Sequence, residues 1–219
     1  MTFSILAHDR ETGVYAAAAA TGNLCVGGWV LRGDIESGLV ASQGTAPSTF
    51  WRDEIMRQMH GGTGAELAVE RVVGPDPGRR HRQIIALDAG GCTRGFTGED
   101  SIAFADHVCD EGLAVAGNML TGQAVLEAMI STARNSRLAI VERMLAVLDA
   151  ADAAGGDTRG LVSAALLVLD PHHPPLDLRI DCHVEPLAAL KQLCDRVRGL
   201  PYRGWLDKVP VLADRTRHP

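Results

Sequence analysis

The fold is indicated by the start of the sequence, TFSILAHDRETGVYAAAAA, which spans residues 2–20. The two sets of alternate side chains along residues 2–8 are typical of a strand with two different faces. The turn-forming run Asp9–Gly13 follows, so residues 14–20 are predicted to return as the second strand of a hairpin. The alanine run at 16–20 is unusual for a strand. It indicates close approach of another layer, and a helix is the alternative.

Strands and helices are predicted in separate groups along the rest of the chain. The other predicted strands are 24–30, 38–43, 82–88, 92–97, 113–117, 162–169 and 176–180. The predicted helices are 51–59, 63–73, 125–133, 138–148 and 187–197. Thr63 and Glu66 have the spacing of a capping box at the start of the second helix. The strand at 162–169 is apolar on both faces, which predicts a central strand covered on both sides.

This order predicts an α+β fold, a four-layer αββα sandwich with mostly antiparallel sheets, rather than a doubly wound parallel sheet. The length of 219 residues is within the range of one domain, which we place at residues 1–199. Residues 200–219 are predicted to be a C-terminal tail. Because it contains Tyr202 and Trp205, we expect this tail to dock on the body or on another subunit.

Composition argues against several classes of partner. A net charge of −6 opposes nucleic-acid binding, which needs a clustered basic face. Five scattered cysteines without a C-x-x-C pair are typical of reduced thiols in a cytosolic protein. The start of the chain lacks the basic segment of a signal peptide, and no uncharged run reaches the ~18 residues of a membrane span. We therefore predict a cytoplasmic protein with no membrane partner.

Common catalytic signatures are absent from the sequence. It contains no G-x-S-x-G nucleophile elbow, no G-x-x-x-x-G-K-[ST] phosphate loop and no H-E-x-x-H zinc motif. The run Asp181-Cys182-His183 offers metal-ligand types without closing a coordination set. We predict no metal and no cofactor. Metal-dependent hydrolysis through Asp181 and His183 is a third hypothesis, which requires metal to co-purify.

The position of Thr2 suggests a catalytic role, because Thr2 directly follows Met1. Removal of Met1 would leave a threonine with both a hydroxyl and a free α-amine. An α-amino group titrates near a pKa of ~7.7–8.0, which suits a general base at neutral pH. A threonine activated by its own amine is an established nucleophile design. The alternative is that Thr2 merely begins a strand, and a retained Met1 would block the amine.

Six ordered motifs carry a resemblance to a known family. They are Thr2-Phe3-Ser4-Ile5, Ala41-Ser42-Gln43, Arg82-Gln83, Phe96-Thr97-Gly98, Gly117-Asn118-x-Leu120 and Gly155-Gly156-Asp157-x-Arg159-Gly160-x-x-Ser163-Ala164. With them, residues 2–198 resemble an uncharacterised bacterial domain-of-unknown-function family of the N-terminal nucleophile (Ntn) hydrolase-like superfamily. The resemblance implies an αββα sandwich and, as reaction class, hydrolysis of an amide bond. The sequence departs from the family pattern at residues 44–50 and 161–162, which concerns the substrate pocket more than the fold.

On that scaffold Thr2 is the predicted nucleophile, and its own α-amine is the base. Asn118 follows a glycine at a strand end, where its amide could donate to an oxyanion. The alternative is a turn residue that tolerates positive φ.

Four further residues are predicted substrate contacts. Arg82 and Gln83 point to opposite faces of their strand, so only one of them can enter a given pocket, and a structural hydrogen bond is the alternative. Asp157 and Arg159 follow the end of a helix. Arg159 would bind a carboxylate of the substrate, and a turn closed by an ion pair is the alternative.

The predicted function is that of a metal-independent Ntn-type amidohydrolase that cleaves a small amide or N-acyl compound. The alternative is a non-catalytic Ntn-like protein that binds a small anionic ligand or serves in assembly. The expected partners are a small molecule and further copies of the chain, because Met- and Leu-rich helix stripes and the Trp205 tail are compatible with a homo-oligomer. The alternative is that these stripes are part of the protein's own core.

Overall fold

Ten strands and seven helices follow one another in groups along residues 2–219, the part of the chain that the computed structural model describes. The strands are β1 (Thr2–Asp9), β2 (Val14–Thr21), β3 (Leu31–Asp34), β4 (Gly38–Gly44), β5 (Arg82–Asp88), β6 (Thr93–Thr97), β7 (Asp106–Asp110), β8 (Leu113–Asn118), β9 (Ser163–Asp170) and β10 (His173–Ile180). The helices are α1 (Val26–Trp29), α2 (Thr49–His60), α3 (Ala65–Val73), α4 (Ala124–Asn135), α5 (Ile140–Ala153), α6 (Pro186–Val197) and α7 (Tyr202–Leu206).

The strands form two sheets. One has six strands in the order β10-β9-β2-β1-β8-β7, and the other has four in the order β3-β4-β5-β6. Every pairing between neighbouring strands is antiparallel. The predicted α+β class with antiparallel sheets is therefore confirmed.

Three apolar layers hold the elements together. Helices α4, α5 and α6 pack on one face of the six-stranded sheet, in a cluster that includes Ile5 and Met129. The other face of that sheet packs on the four-stranded sheet through a cluster that includes Leu6 and Leu87. Helices α2 and α3 cover the remaining face, around Ile84. Since successive side chains of a strand point to opposite faces, Ile5 and Leu6 belong to different layers.

The alanine run of β2 forms a strand, which settles the alternative of a helix. Every residue of β2 is buried. Ala16, Ala18 and Ala20 lie in the cluster beneath the helices, whereas Ala17 and Ala19 lie between the sheets. Small side chains are required on both faces, because α5 on one side and the second sheet on the other both pack close to this strand.

The prediction of a strand at residues 24–30 is wrong, since α1 occupies this segment. A Cβ on Gly27 would lie 2.8 Å from the Cβ of Ala165, so the glycine lets the helix pack directly on β9. Arg52, which is 4% exposed, donates hydrogen bonds to the carbonyls of Gly28 at 2.7 Å and Trp29 at 2.9 Å. These long-range contacts stabilise a four-residue helix that local sequence does not indicate.

The capping box predicted at Thr63 does not form. Helix α3 begins after Gly64, which makes no side-chain cap. The carboxylate of Asp88 instead accepts a hydrogen bond from the Ala65 N–H at 2.9 Å, so a residue of β5 does the capping. The sequence also gave no indication of β7, whose residues include few strongly apolar ones.

The C-terminal segment lies against the body of the molecule. The Ala213 N–H donates to the Pro171 carbonyl at 2.9 Å, and Arg215 forms an ion pair with Glu36 at 2.8 Å. Val211 is buried, whereas Trp205 on α7 is 56% exposed. The segment thus touches both the β9–β10 turn and the loop between β3 and β4.

Within residues 2–219, no helix combines the length and the apolar character that crossing a membrane requires.

Candidate functional site

Thr2, Thr21 and Asn118 lie at one end of the six-stranded sheet, where β1 begins and β2 and β8 end. Thr2 is paired directly with Asn118 across β1 and β8. Leu6 in the same strand faces the four-stranded sheet. Because alternate residues of a strand share a face, and opposite residues of an antiparallel pair do so too, all three polar side chains point into the layer between the sheets.

The hydroxyl of Thr2 is held by a second threonine. Thr2 Oγ1 donates a hydrogen bond to Thr21 Oγ1 at 3.2 Å. Thr2 is 9% exposed and Thr21 3%. A neutral hydroxyl partner fixes the side chain of Thr2 without supplying a base, so any base for this hydroxyl must come from elsewhere.

A chain of buried amides from the four-stranded sheet lies next to Thr2. Gln43 Nε2 donates to the backbone carbonyl of Thr2 at 3.2 Å and to Gln83 Oε1 at 2.7 Å. Gln43 Oε1 accepts a hydrogen bond from Ser4 Oγ at 2.8 Å, and Gln83 Oε1 accepts a second one from Asn118 Nδ2 at 3.1 Å. These hydrogen bonds join the two sheets and fix the orientation of the Asn118 amide.

The other side of Gln83 extends the network to β6 and β7. Gln83 Nε2 donates to Thr97 Oγ1 at 2.8 Å and to the backbone carbonyls of Gly117 at 2.9 Å and Asp106 at 3.0 Å. Thr97 Oγ1 in turn lies 2.9 Å from His107 Nδ1. Burial lowers the pKa of His107, so its imidazole is neutral at neutral pH and the whole network carries no formal charge.

Asp157 and Arg159 form a turn beside the end of β2. The buried carboxylate of Asp157 accepts hydrogen bonds from the Gly22 N–H at 2.5 Å and the Arg159 N–H at 2.8 Å. The Arg159 guanidinium binds the same carboxylate at 3.2 Å and remains 40% exposed. A Cβ on Gly22 would lie 2.5 Å from the Gly160 carbonyl, so only glycine lets this turn approach β2.

Arg82 lies outside this cluster. Its guanidinium forms an ion pair with Asp76, donates to the Ala46 carbonyl at 3.1 Å and lies 5.6 Å from the centre of the Trp51 ring. Adjacent residues of β5 face opposite sides, so Gln83 enters the layer between the sheets and Arg82 points toward α2. The structure thus brings Thr2, Asn118 and Gln83 together, places Asp157 and Arg159 at the end of β2, and leaves Arg82 apart.

Sequence reasoning missed Ser4, Thr21 and Gln43 as parts of the site. Each is a buried polar residue at a position that faces the other sheet, in a strand whose middle is apolar. That pattern was visible in the sequence as a break in the apolar face near one strand end. Their meeting point was not visible, because it depends on how the two sheets stack.

Metal-ligating side chains are not grouped within residues 2–219: no three His, Cys, Asp or Glu residues there are arranged to hold an ion. The Asp181 backbone carbonyl accepts the Cys25 N–H, and His183 Nδ1 accepts the Glu185 N–H. The absence of a metal and of a cofactor stays a prediction.

The sequence and structure are similar to those of known proteins. The model of a family of unknown function, DUF1028, matches residues 2–190. A crystal structure of a protein from Silicibacter pomeroyi, described with the same family, has a TM-score of 0.94 and 47% sequence identity, and the match covers 99% of this chain and 98% of that chain. Among curated proteins, none matches this chain. The matched residues include both sheets and the whole cluster around Thr2.

Proposed function

The chain belongs to the family of unknown function DUF1028, and we propose that Thr2 is the nucleophile of an Ntn-type amidohydrolase. The proposal requires removal of the residue that precedes Thr2. Met1 lies outside the described residues, and its removal is tested by the mass measurement below. The stacking of helices, two antiparallel sheets and helices supports the assignment of an αββα, Ntn-hydrolase-like fold.

One observation carries the proposal: a threonine at the start of a central strand lies directly across from Asn118, whose side-chain amide is fixed by Gln83. In the proposed reaction the free α-amine of Thr2 accepts the proton of its own hydroxyl, and Oγ1 attacks the carbonyl carbon of an amide. The C–N bond breaks as the amine returns the proton to the leaving nitrogen. Water then hydrolyses the acyl ester on Oγ1, which restores the free hydroxyl.

Asn118 is the proposed donor to the tetrahedral oxyanion. Its amide has two N–H groups, and one donates to Gln83, which leaves the other for a reacting oxygen. Gln83 is a positioning residue, because it acts on the substrate only by holding Asn118. An amide held in advance needs no reorganisation as charge develops.

Arg159 is the proposed contact for a carboxylate of the substrate. Its guanidinium is partly exposed at the turn that binds the Gly22 N–H, one residue beyond Thr21. Asp157 holds the guanidinium in place at 3.2 Å, and a partly exposed, oriented guanidinium suits recognition of a carboxylate. We therefore propose a small N-acyl or amide compound with a carboxylate as the substrate class, and no role in binding for Arg82.

The test begins with the intact mass of the protein purified from its native host, where we expect a chain that starts at Thr2. A panel of small N-acyl compounds is then assayed with Thr2→Ala and, as matched control, Thr2→Ser. Loss of the nucleophile should lower kcat/KM roughly a thousandfold or more, whereas serine should retain part of the rate. Full activity of Thr2→Ala, or a chain that keeps Met1, would contradict the proposal.

The low exposure of Thr2 favours a second candidate if Met1 is retained. The protein would then be a non-catalytic member of the family that binds a small anion at Arg159. Calorimetry with small carboxylates should detect binding that Thr2→Ala leaves unchanged and that Arg159→Ala abolishes. For either function we propose a cytoplasmic location, which the free thiols of all five cysteines support.

A further inference from the structure

Strand β10 forms one edge of the six-stranded sheet, and only half of that edge is protected. Pro174 and Pro175 lack the N–H groups that another strand would need, and the register with β9 shifts between His173 and Leu176. Val211 and Arg215 of the C-terminal segment share a groove with Pro175. Prolines, an irregular register and a covering segment are all devices that prevent pairing at a sheet edge.

The second half of the edge, residues 176–180, contains no proline and keeps a regular register with β9. The C-terminal segment reaches it only at Leu176, which shares a groove with Arg203 and Leu206. Within residues 2–219 its backbone groups pair with β9 and with no other backbone group. The N–H and C=O groups that point away from β9 are therefore available to another strand. Since pairing is prevented at residues 173–175 of β10, the open half, residues 176–180, is a candidate for specific pairing with another strand.

The sequence of this open half, Leu-Asp-Leu-Arg-Ile, is complementary to itself. When two copies run antiparallel about a two-fold axis at Leu178, Asp177 of each copy lies opposite Arg179 of the other. The same register places Leu176 opposite Ile180. Registers centred on Asp177 or Arg179 would place two aspartates or two arginines directly opposite, which is destabilising. Charge therefore selects one register.

The two charged side chains are already held on one face of the sheet. Arg179 binds Asp177 of its own chain at 2.6 and 2.8 Å, and both are about 40% exposed. A Cβ on Gly27 would lie 2.9 Å from Cγ of Arg179, so the arginine stem lies against α1. Two copies would form a square of four alternating charges with little loss of side-chain freedom.

We propose that residues 176–180 of β10 pair with the same residues of a second copy of this chain, which joins two six-stranded sheets across a two-fold axis. This surface is independent of the proposed hydrolase activity. It gives the predicted homo-oligomer a defined interface. On the opposite face Leu176, Leu178 and Ile180 pack toward the helical layer, and α6 packs on β9 and β10, so the two copies of α6 would approach one another over the seam.

A charge-swap experiment tests the proposal by sedimentation equilibrium of the full chain. We expect a dimer for the natural sequence. Asp177→Arg and Arg179→Asp should each raise the dimer dissociation constant at least about tenfold, because like charges then face each other. The double variant should return to within about threefold of the natural value, because the opposite pairs are restored in reversed order. Glu11→Arg, an exposed change in the β1–β2 turn, is the matched control and should have no effect.

A second measurement needs no variant. Amide hydrogen exchange in residues 176–180 should slow at concentrations where the dimer forms and quicken on dilution. A natural chain that stays monomeric, single variants that dimerise normally, or a double variant that is not rescued would each overturn the proposal.

Discussion

The layer between the two sheets has two ends that are built from the same strands by different means. Strand β5 contributes Leu87 to one end and Gln83 to the other, and β4 contributes Leu39 and Gln43 in the same way. The leucine end is held by packing, whereas the glutamine end is held by hydrogen bonds that fix Asn118. Apolar packing therefore dominates at one end of the layer, and hydrogen bonds that orient Thr2 and Asn118 dominate at the other.

The largest effect is expected from damage to the leucine end. Leu87 is fully buried, so Leu87→Ala removes apolar contacts and leaves a cavity. We expect the free energy of unfolding to fall by about 2–5 kcal/mol, measured by denaturant titration. Leu67→Ala is the matched control, because Leu67 is 44% exposed and its truncation should change stability by less than about 0.5 kcal/mol. Equal losses in the two variants would contradict the assignment of Leu87 to the core.

A smaller loss is expected at the glutamine end. Gln83→Leu keeps the volume but removes the acceptor of Asn118 and Gln43, and it leaves the Gly117 carbonyl without its side-chain donor. Gln43 keeps its hydrogen bond to the Thr2 carbonyl, so the cost falls mainly on the Asn118 amide. One buried group without its partner costs about 1–3 kcal/mol, again measured by denaturant titration. Gln192→Leu on the exposed side of α6 is the control. If Gln83→Leu is as stable as the natural chain, the network does not hold this end together.

The smallest effect on stability is expected from substitution of two histidines, one at each end of the layer. His8 stacks on Tyr15 with ring centres 4.2 Å apart, and His107 contacts Thr97. Burial lowers the pKa of both below the ordinary value of 6.5. For His8, Arg10 adds to the lowering and Asp9 and Asp88 oppose it. For His107, Asp106 opposes the lowering and Arg94 adds to it.

The direction in which stability changes with pH follows from proton uptake by the unfolded chain. Below pH 6.5 the unfolded chain binds protons that the folded histidines resist, so stability is full above that pH and falls as the pH decreases toward the folded pKa. His8→Phe and His107→Gln should each flatten the fall in Tm between about pH 7 and pH 5, where ordinary histidine titrates. An unchanged slope in both variants would show that neither histidine is buried in its neutral form.

Much of the fold could be predicted from the sequence because the information is local. Alternation in residues 2–8 and the stripes of α4 and α5 reflect burial of one face, which a single segment records. The segment of α1 could not be predicted, because its helix depends on Arg52 and on the close contact of Gly27 with Ala165. The prediction of the start of α3 was wrong for the same reason, since the capping carboxylate comes from Asp88 in a distant strand.

Parts of the candidate site could be placed from the sequence where a single residue carries the signal. Thr2 and Asn118 were identified from their positions at strand ends, and they face each other. Arg82 was selected together with Gln83, but alternation along β5 can send only one of them into the layer. Ser4 and Gln43 were missed because their hydrogen bond joins residues in different sheets, and a single sequence does not state which sheet faces which.

The strand order determines when the six-stranded sheet can be completed during translation. Strand β1 precedes all the other described strands, yet its neighbour β8 and the turn at Asp157 follow much later in the chain. Pairings between distant segments form slowly, because a long loop must close before they are gained. During synthesis the apolar runs of β1 and β2 lack their final neighbours, and exposed apolar strands of this kind are prone to aggregation. A nascent chain that ends before β8 therefore lacks Asn118 and cannot assemble the cluster around Thr2.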